Sequence, residues 1–408
     1  MPIIHGTLET EQAAAAVDLE AGDHHADDQQ RLAALQQALA DERKLFFNRA
    51  ISGLYAPGST FKLITAVAGL DNDAFAVDTT VDDQGVLEVG EQSFANWYYT
   101  QYGRTEGLIS VVRAISRSND IFFYRAAEWT GVEALAQKAR DFGFGERTGV
   151  ELPGEQAGLV PDPAWKEETF GERWFLGNTF HLGIGQGDLL STPLQLAQMM
   201  TVFGNNGTMC HPRVVSGTGR TQAAANCGGV GVDEETLAVV QEGMIGACSG
   251  GGTAFPFFAW NDTRLANLSE DLSPANQIRE GVVACKTGTA EFGGADERGF
   301  RRTHALFGMT VGGLHDLLVL DNPELETELA QDEASAAATV SDSATEQAAD
   351  LTELRQQWFA AASRENFPDA IVILVLVESD EEQPYAEGSR EAAPVARDVF
   401  GWLVGENQ

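Results

Sequence analysis

The sequence predicts a mixed α+β fold, in which helices pack on a mostly antiparallel central sheet. The order of elements in the last third of the chain carries this prediction. The apolar run 282–285 and the segment 304–310 each have strand character, and the Gly- and charge-rich segment 291–302 between them predicts a simple antiparallel hairpin. A buried strand at 371–377 and a helix at 395–404 follow. Strands followed by helices in this way favour helices packed on an antiparallel sheet.

Helices dominate the chain upstream of these strands. The apolar run 63–70 follows a Pro-Gly turn and predicts a helix, and residues 111–124 predict two helices separated by a break. Capping boxes predict helix starts at Thr130 and Thr192, and a further helix is predicted at 233–245. Between the first two regions, residues 71–107 predict loops and short strands. Their aromatic side chains are expected to be exposed and either to line a groove or to form a small satellite core: Phe94, Trp97, Tyr98, Tyr99 and Tyr102.

The charge balance excludes some classes of ligand. The 408 residues carry a net charge of −35, from 26 basic and 61 acidic residues. Nucleic acids and anionic lipids bind to positive patches, so neither is expected as a partner. The excess of acids is compatible with adaptation to high salt, whereas a GC-rich genome explains the preference for Arg over Lys equally well.

Two segments are too acidic to predict a packed core. Residues 1–42 contain nine acids and one Arg, and we expect them to be poorly ordered. Residues 318–357, rich in Ala, Ser, Thr and acids, predict a low-complexity insertion in a domain that spans 43–408. The cluster 23–28 (Asp-His-His-Ala-Asp-Asp) has contiguous side chains and predicts a solvated segment instead of a metal site. We expect neither a metal nor a cofactor.

The chain contains no export or membrane signal that its sequence reveals. No apolar run reaches the roughly 18–20 residues that span a bilayer, and residues 1–22 lack the basic and apolar regions of a signal peptide. We therefore expect a soluble portion of a protein that is anchored elsewhere, or a chain whose start has been lost. The four Cys (210, 227, 248 and 285) have no zinc-ligand spacing, and a disulfide is permitted but not assignable. Cys285 is expected to be a small buried strand residue.

A serine and a lysine three residues apart form the first candidate site. Ser59 and Lys62 lie in the segment Tyr-Ala-Pro-Gly-Ser-Thr-Phe-Lys, directly before the predicted helix at 63–70. Residues at i and i+3 share one face of a helix, so the lysine amine lies within reach of the hydroxyl. A serine needs an adjacent base to become a nucleophile, and a lysine is such a base only where burial or nearby cations lower its pKa.

Two further motifs complete the pattern. Ser118-Asn119-Asp120 opens the second helix of 111–124, and Lys286-Thr287-Gly288-Thr289 continues the strand-like run 282–285. Ser-x-x-Lys, Ser-x-Asn/Asp and Lys-Thr-Gly in this order are the signature of serine β-lactamases and penicillin-binding proteins. Each motif alone is weak, but three in order predict one shared active site.

Further stretches, several without a place in catalysis, match one family. They are Asn48–Ala50, Pro57–Lys62, Ser118–Tyr124, Phe142–Gly145, Thr148–Glu155, Ile184–Gly187, Thr192–Ala197, Lys286–Glu291 and Ala392–Pro394. Together they resemble the transpeptidase domain of class B penicillin-binding proteins, most of all the elongation-type penicillin-binding protein 2. The resemblance runs from about residue 40 to the C-terminus and skips the acidic insertion. It implies helices on both faces of the central sheet, as in the penicillin-binding transpeptidase and serine β-lactamase-like fold.

The resemblance implies a role for each motif residue. The family forms an acyl-enzyme with the penultimate D-Ala of a peptidoglycan stem peptide and passes the acyl group to the amine of a neighbouring stem. Ser59 would be the nucleophile and Lys62 the base. Ser118 would relay the proton to the leaving amine, and Asp120 would hydrogen-bond the substrate amide and the lysine.

The Lys-Thr-Gly strand is implied to bind the substrate. Lys286 and Thr287 would hold its carboxylate beside Gly288, and the backbone N–H groups of Ser59 and Thr289 would bind the oxyanion. The resemblance further implies peptidoglycan stem peptides and β-lactams as ligands. It implies a membrane glycosyltransferase and elongation-complex proteins as partners, contacted through parts absent from this chain. The expected location is the extracytoplasmic face of the cell membrane, with the anchor outside this chain.

Departures from the family pattern keep alternatives open. Asp120 stands where many relatives have Asn, and Cys285 replaces the glycine usual before the lysine. We expect the family's pedestal domain to lie outside this sequence, and its first sheet hairpin to be reduced to about residues 14–23. A class D-type β-lactamase or β-lactam sensor domain is one alternative. A truncated, inactive paralogue that acts as a binding module is the other.

Overall fold

The computed structural model describes residues 44, 46–214, 227–293, 301–313, 370–380 and 383–404. The acidic segment 1–42, the stretch 23–28 within it and the insertion at 318–357 lie outside these ranges, so their expected character stays a prediction. None of the helices in the described ranges is long and apolar enough to cross a membrane.

The described chain alternates between helices and short strands. The α-helices are α1 (Arg49–Ser52), α2 (Lys62–Asp71), α3 (Trp97–Tyr102), α4 (Val111–Arg117), α5 (Asp120–Thr130), α6 (Val132–Asp141), α7 (Pro163–Phe170), α8 (Leu176–Gly183), α9 (Pro193–Gly204), α10 (Glu234–Ala247), α11 (Phe258–Asn267), α12 (Pro274–Arg279) and α13 (Ala393–Val404). The strands are β1 (Thr80–Asp83), β2 (Val86–Val89), β3 (Gln92–Ala95), β4 (Gly107–Ser110), β5 (Thr208–Cys210), β6 (Cys227–Gly229), β7 (Ala284–Phe292), β8 (Arg302–Gly312) and β9 (Ala370–Val377). Short 3₁₀ turns span Gly58–Phe61 and Phe255–Phe257, and a π-helical segment spans Gly388–Ala392.

Strands β7, β8 and β9 form the largest sheet of the described chain, in that order and antiparallel throughout. Lys286 on β7 lies opposite Gly308 on β8, which lies opposite Leu374 on β9. The predicted antiparallel pairing of the first two strands and the predicted third strand are therefore confirmed, while residues 294–300 of the connection lie outside the described ranges. The other described strands pair as antiparallel ribbons of two: β1 with β4, β2 with β3, and β5 with β6.

Helices pack on both faces of this sheet. Successive residues of a strand point to opposite sides, so neighbouring residues belong to different cores. Leu306 belongs to the larger apolar core, which also contains Met200 of α9 and Val240 of α10. Its neighbour Phe307 belongs to the second core, where its ring stacks on Phe257 at a centroid distance of 5.3 Å. Helix α13 packs on that second face. The predicted α+β class, with helices on both faces, is confirmed.

The two predicted capping boxes have different outcomes. At Thr192 the prediction is confirmed, since the Thr192 hydroxyl accepts from the N–H of Gln195 and the Gln195 side chain accepts from the N–H of Thr192. At Thr130 it is wrong. Thr130 is the last residue of α5, and its hydroxyl donates to the carbonyl of Ala126 one turn back at 2.7 Å. Helix α6 instead begins after Gly131, without a side-chain cap.

The aromatic region after α2 is more ordered than its sequence predicts. Residues 97–102 form helix α3, and Phe94 on β3 is buried, with its ring 4.9 Å from that of Phe180. The expectation of exposed aromatics is wrong for Phe94 and correct for Tyr99 and Tyr102, which are 43% and 62% exposed. Phe94 is the one buried residue of β3, and its ring packs against those of Tyr124 and Phe180.

Two disulfides account for all four cysteines. Cys210 on β5 is bonded to Cys227 on β6, and Cys248 at the end of α10 is bonded to Cys285 on β7. Cys285 is fully buried in its strand, as predicted. The pairing could not be predicted from the sequence, because the spacing of four cysteines does not select among the possible connectivities. The second disulfide ties α10 to the residue directly before Lys286.

Replacing Cys248 and Cys285 together by alanine should lower the free energy of unfolding by about 3–4 kcal/mol, because a sequence separation of 37 residues then loses its covalent constraint. Denaturation in guanidinium chloride, followed by circular dichroism, measures the loss. Thiol titration of the unreduced, denatured wild-type protein is the control and should find no free thiol. Two free thiols, or an unchanged unfolding midpoint in the double variant, would contradict the second disulfide.

Candidate active site

Two glycines bring the turn that carries Ser59 against strand β7. Ser59 lies in the 3₁₀ turn that precedes α2, so the predicted helix start is confirmed. Gly58 has φ +55°, and a Cβ there would lie 2.7 Å from the carbonyl oxygen of Thr289. A Cβ on Gly288 would lie 3.0 Å from the methyl group of Thr60. Gly58 leaves no room for a side chain, and Gly288 avoids a tight contact with Thr60, so that the turn and the strand can approach closely.

The segment around Gly185 also packs against the turn that carries Ser59. The N–H of Gly58 donates to the carbonyl of Gly185 at 2.8 Å, and the Gln186 amide donates to the carbonyl of Thr289 at 3.1 Å. This segment therefore touches both the serine turn and strand β7.

Ser118 closes helix α4 in the left-handed conformation, at φ +53°. Its N–H donates to the carbonyl of Ile115 at 3.1 Å, and the N–H of Asn119 donates to that of Ala114 at 2.9 Å. The Asn119 side chain then caps α5 by accepting from the N–H of Phe122 at 2.9 Å. The predicted break between two helices is confirmed. Its left-handed serine places the hydroxyl between two lysines.

Both lysines of the motifs are fully buried around Ser118. The Lys62 ammonium lies 2.7 Å from Asp120 Oδ1, 2.8 Å from the carbonyl oxygen of Ser118 and 3.5 Å from its Oγ. The Lys286 ammonium lies 2.7 Å from the same Oγ and 2.9 Å from the carbonyl oxygen of Thr287. The Ser118 hydroxyl therefore joins the two amines in one chain of hydrogen bonds.

Burial changes the proton affinity of both amines. Loss of hydration lowers the pKa of Lys62, and the Asp120 carboxylate opposes this effect without cancelling it. Burial and the nearby Lys62 together lower the pKa of Lys286 well below its ordinary value. Among the described residues, Asp120 is the only carboxylate in an ion pair with either lysine. Two amines that share one negative charge favour a state in which one of them is neutral.

The second oxygen of Asp120 is also engaged. It accepts from the backbone N–H of Trp97 at 2.9 Å, and the Trp97 indole donates to the carbonyl of Arg117 at 3.1 Å. Asp120 thus connects Lys62 to the start of α3.

Asp83, at the end of β1, organises the loops that hold Asn119 and Asp120. The side chain is fully buried, and its oxygens accept from the N–H groups of Gly85 and Glu106. They also accept from the side-chain amides of Asn96 and Asn119, at 2.8 and 2.7 Å. Asn96 in turn accepts from the N–H of Asp120 at 3.2 Å. Four donors on one carboxylate fix the turn that presents Ser118.

Sequence reasoning did not select Asp83, although the strand pattern contained a usable signal. Residues alternate between the two sides of a strand, so Asp83 shares a side with Val81, which is apolar and buried. Asp82, its neighbour, is exposed. An aspartate placed on the apolar side of a strand indicates a buried, hydrogen-bonded role.

All the predicted site residues lie in one neighbourhood: Ser59, Lys62, Ser118, Asp120, Lys286, Thr287, Gly288 and Thr289. The one expected contact that is missing is between Ser59 and Lys62, since no hydrogen bond joins their side chains in the described chain. Lys62 is instead held by Asp120 and Ser118. The described residues include no cluster of three His, Cys, Asp or Glu side chains that could hold a metal ion. The turn of Ser59 lies against the strand of Lys286, and Lys62 follows Ser59 by three residues, an arrangement that suits acyl transfer through Ser59.

Replacing Asp83 by alanine should lower the free energy of unfolding by about 2–4 kcal/mol, because buried amide donors lose their acceptor. Asp82→Ala is the matched control, since an exposed aspartate one residue away should change stability by less than about 0.5 kcal/mol. Urea denaturation of both variants makes the comparison. Equal, small effects of the two substitutions would contradict a central role for Asp83.

Residues 24–343 match the family model of the penicillin binding protein transpeptidase domain. Among curated proteins, the chain is 38% identical over 174 residues to the peptidoglycan D,D-transpeptidase MrdA of Acinetobacter baumannii, covering 42% of this chain and 25% of that protein. It is 32% identical over 182 residues to MrdA of Escherichia coli K12, covering 44% and 28%. The matched region thus spans about a quarter of the length of these relatives.

Solved structures show the same likeness. The chain matches Pseudomonas aeruginosa PBP2 in complex with WCK 5153 with a TM-score of 0.63 and 26% identity, covering 91% of this chain and 63% of that one. It matches the complex of PBP2 and MreC from Helicobacter pylori with a TM-score of 0.55 and 28% identity, covering 68% and 47%. Since the family model matches more than half of its residues, the chain belongs to the penicillin-binding protein transpeptidase domain family.

Proposed function

We propose that this chain is a peptidoglycan D,D-transpeptidase that cross-links stem peptides through an acyl-enzyme on Ser59. One observation carries the proposal: the turn of Ser59 lies against the strand of Lys286, where the Ser118 hydroxyl joins two buried lysine amines. The similarity to the MrdA proteins supports the same activity.

In the first half of the reaction, the Ser59 oxygen attacks the carbonyl carbon of the penultimate D-Ala. Its proton passes to Lys62, which lies one helical turn further along on the same face. The amide C–N bond then breaks, and the departing D-Ala nitrogen takes a proton from Ser118, which Lys62 replaces. The backbone N–H groups of Ser59 and Thr289 stabilise the oxyanion that forms between these steps. The products are free D-Ala and an ester between the stem peptide and Ser59.

The second half reverses the proton path. The amine of a neighbouring stem peptide attacks the ester carbonyl, and the chain of Ser118 and the lysines accepts the amine proton. The C–O bond to Ser59 breaks, and the serine oxygen regains its proton from Lys62. A new amide bond joins the two stems, and the enzyme returns to its starting state.

The pair of lysines is suited to this proton traffic. Lys62 must be neutral to accept a proton, and burial lowers its pKa toward that state. Lys286 has the more strongly lowered pKa and contacts the same hydroxyl. Ser118 can therefore pass a proton in either direction between the two amines. In the same scheme Lys286 and Thr287 hold the substrate carboxylate, and Asp120 orients Lys62.

Two features support an extracytoplasmic location. Both disulfides are of a kind that persists in oxidising compartments. The structural relatives include a PBP2 solved with MreC and a peptidoglycan synthase complex. The proposal therefore includes a membrane-attached role in cell-wall elongation and cell shape, with an MreC-type scaffold protein and a glycosyltransferase as partners.

Incubation with a penicillin should increase the intact mass of the protein by one penicillin molecule, because Ser59 opens the β-lactam ring as it would the D-Ala-D-Ala amide. Mass spectrometry measures the adduct, and Ser59→Ala is the matched control, which should show none. A stable adduct lost in the control supports slow deacylation, as a transpeptidase requires. Consumption of the drug without an adduct would support a β-lactamase, and neither adduct nor consumption would support an inactive binding module.

The rate of acylation by penicillin should rise with pH as the lysines lose their proton, with an apparent pKa below that of a free lysine. Asp120 raises the pKa of Lys62, so Asp120→Asn should move this rise to lower pH. Stopped-flow acylation kinetics across pH 5–10 would make the comparison. A shift to higher pH in the variant would contradict the electrostatic role given to Asp120.

A further inference from the structure

A second threonine lies beside the Lys-Thr-Gly strand. The hydroxyl oxygen of Thr253 is 2.9 Å from that of Thr287, so one of the two donates a hydrogen bond to the other. Thr287 is buried, and Thr253 is partly buried. Thr253 belongs to none of the three motifs, and this hydrogen bond links it to the Lys-Thr-Gly motif.

The loop that carries Thr253 is short and internally bonded. It follows the last turn of α10, and the N–H groups of Thr253 and Ala254 both donate to the carbonyl of Ala247, at 3.1 and 2.9 Å. The N–H of Gly252 donates to the carbonyl of Ser249 at 2.9 Å. Thr253 is therefore held in one position relative to helix α10.

Two further links tie this loop to the active site. The disulfide between Cys248 and Cys285 joins the start of the loop to the residue before Lys286. The Arg117 guanidinium donates to the carbonyl oxygens of Gly251 and Gly252, at 3.1 and 3.3 Å. Arg117 directly precedes Ser118 in the chain. The loop is thus fixed both to the substrate-binding strand and to the turn that carries Ser118.

A carboxylate needs more donors than Thr287 alone supplies. Each threonine hydroxyl has one proton, whereas the two oxygens of a carboxylate accept about four hydrogen bonds. A second hydroxyl 2.9 Å away lets two donors meet one carboxylate.

We propose that Thr253 binds the substrate's terminal carboxylate together with Thr287. In the free protein the two hydroxyls bond to each other. When the ligand enters, that bond is exchanged for one hydrogen bond from each hydroxyl to the carboxylate. This inference rests on the proposed transpeptidase function, because it takes the C-terminal carboxylate of a D-Ala-D-Ala stem peptide, or the carboxylate of a penicillin, as the ligand.

The test compares a penicillin with its methyl ester, which keeps the β-lactam ring and lacks the negative charge. Second-order rate constants for acylation of Ser59 are measured by mass spectrometry for the wild type, Thr253→Val and Thr253→Ser. Thr253→Val should slow acylation by the acid about ten- to a hundredfold and leave acylation by the ester within about twofold, because a hydrogen bond to a charged group is lost only for the acid. Thr253→Ser, which keeps the hydroxyl, should retain most of the wild-type rate with the acid.

Three outcomes would overturn the inference. An unchanged rate with the acid in Thr253→Val would show that the hydroxyl does not meet the carboxylate. An equal loss with acid and ester would show a structural effect of the substitution. Failure of Thr253→Ser to retain the rate would exclude the hydroxyl as the active group. Should Thr253→Val fail to fold, Thr253→Ala takes its place in the same comparison. Absence of acylation in the wild type is a distinct result, since it would overturn the proposed function itself.

Discussion

The structure depends on keeping two lysine ammonium groups out of water on either side of one serine hydroxyl. A buried charge costs free energy unless it is paired, and only one carboxylate, that of Asp120, is paired with these amines among the described residues. The surrounding fold must therefore hold Lys62, Ser118 and Lys286 in contact against their tendency to hydrate or separate. What the protein gains is a pair of amines that exchange protons readily, because neither is fully stabilised in its charged form.

The rest of the architecture fixes the three segments that carry these side chains. Gly58 and Gly288 let the serine turn approach strand β7 without a steric clash. Asp83 gathers amide donors from separate loops and so locks the turn of Ser118. The disulfide at Cys285 anchors strand β7 to helix α10. Each device is buried, and each joins segments that are distant in sequence, so the geometry of the site depends on the folded domain as a whole.

Much of this could be predicted from the sequence, for reasons that are local. A capping box marked the start of α9, apolar runs marked the strands of the large sheet, and the order of three short motifs indicated that Ser59, Ser118 and Lys286 share one site. The failures occurred where tertiary contacts decide. The residues that follow Thr130 match a capping box, but Thr130 itself ends the preceding helix. Phe94 was expected to be exposed, but it is a core residue. The partner of Cys285 and the donors around Asp83 come from distant segments, so spacing along the chain does not reveal them.

The disulfide beside Lys286 also constrains how this sequence can change over evolutionary time. Either cysteine alone would leave an unpaired thiol in a fully buried position next to the lysine. The two positions are therefore expected to mutate together, and lineages that carry one should carry the other. Through this covalent bond, two sites that are 37 residues apart are expected to change as a single heritable unit.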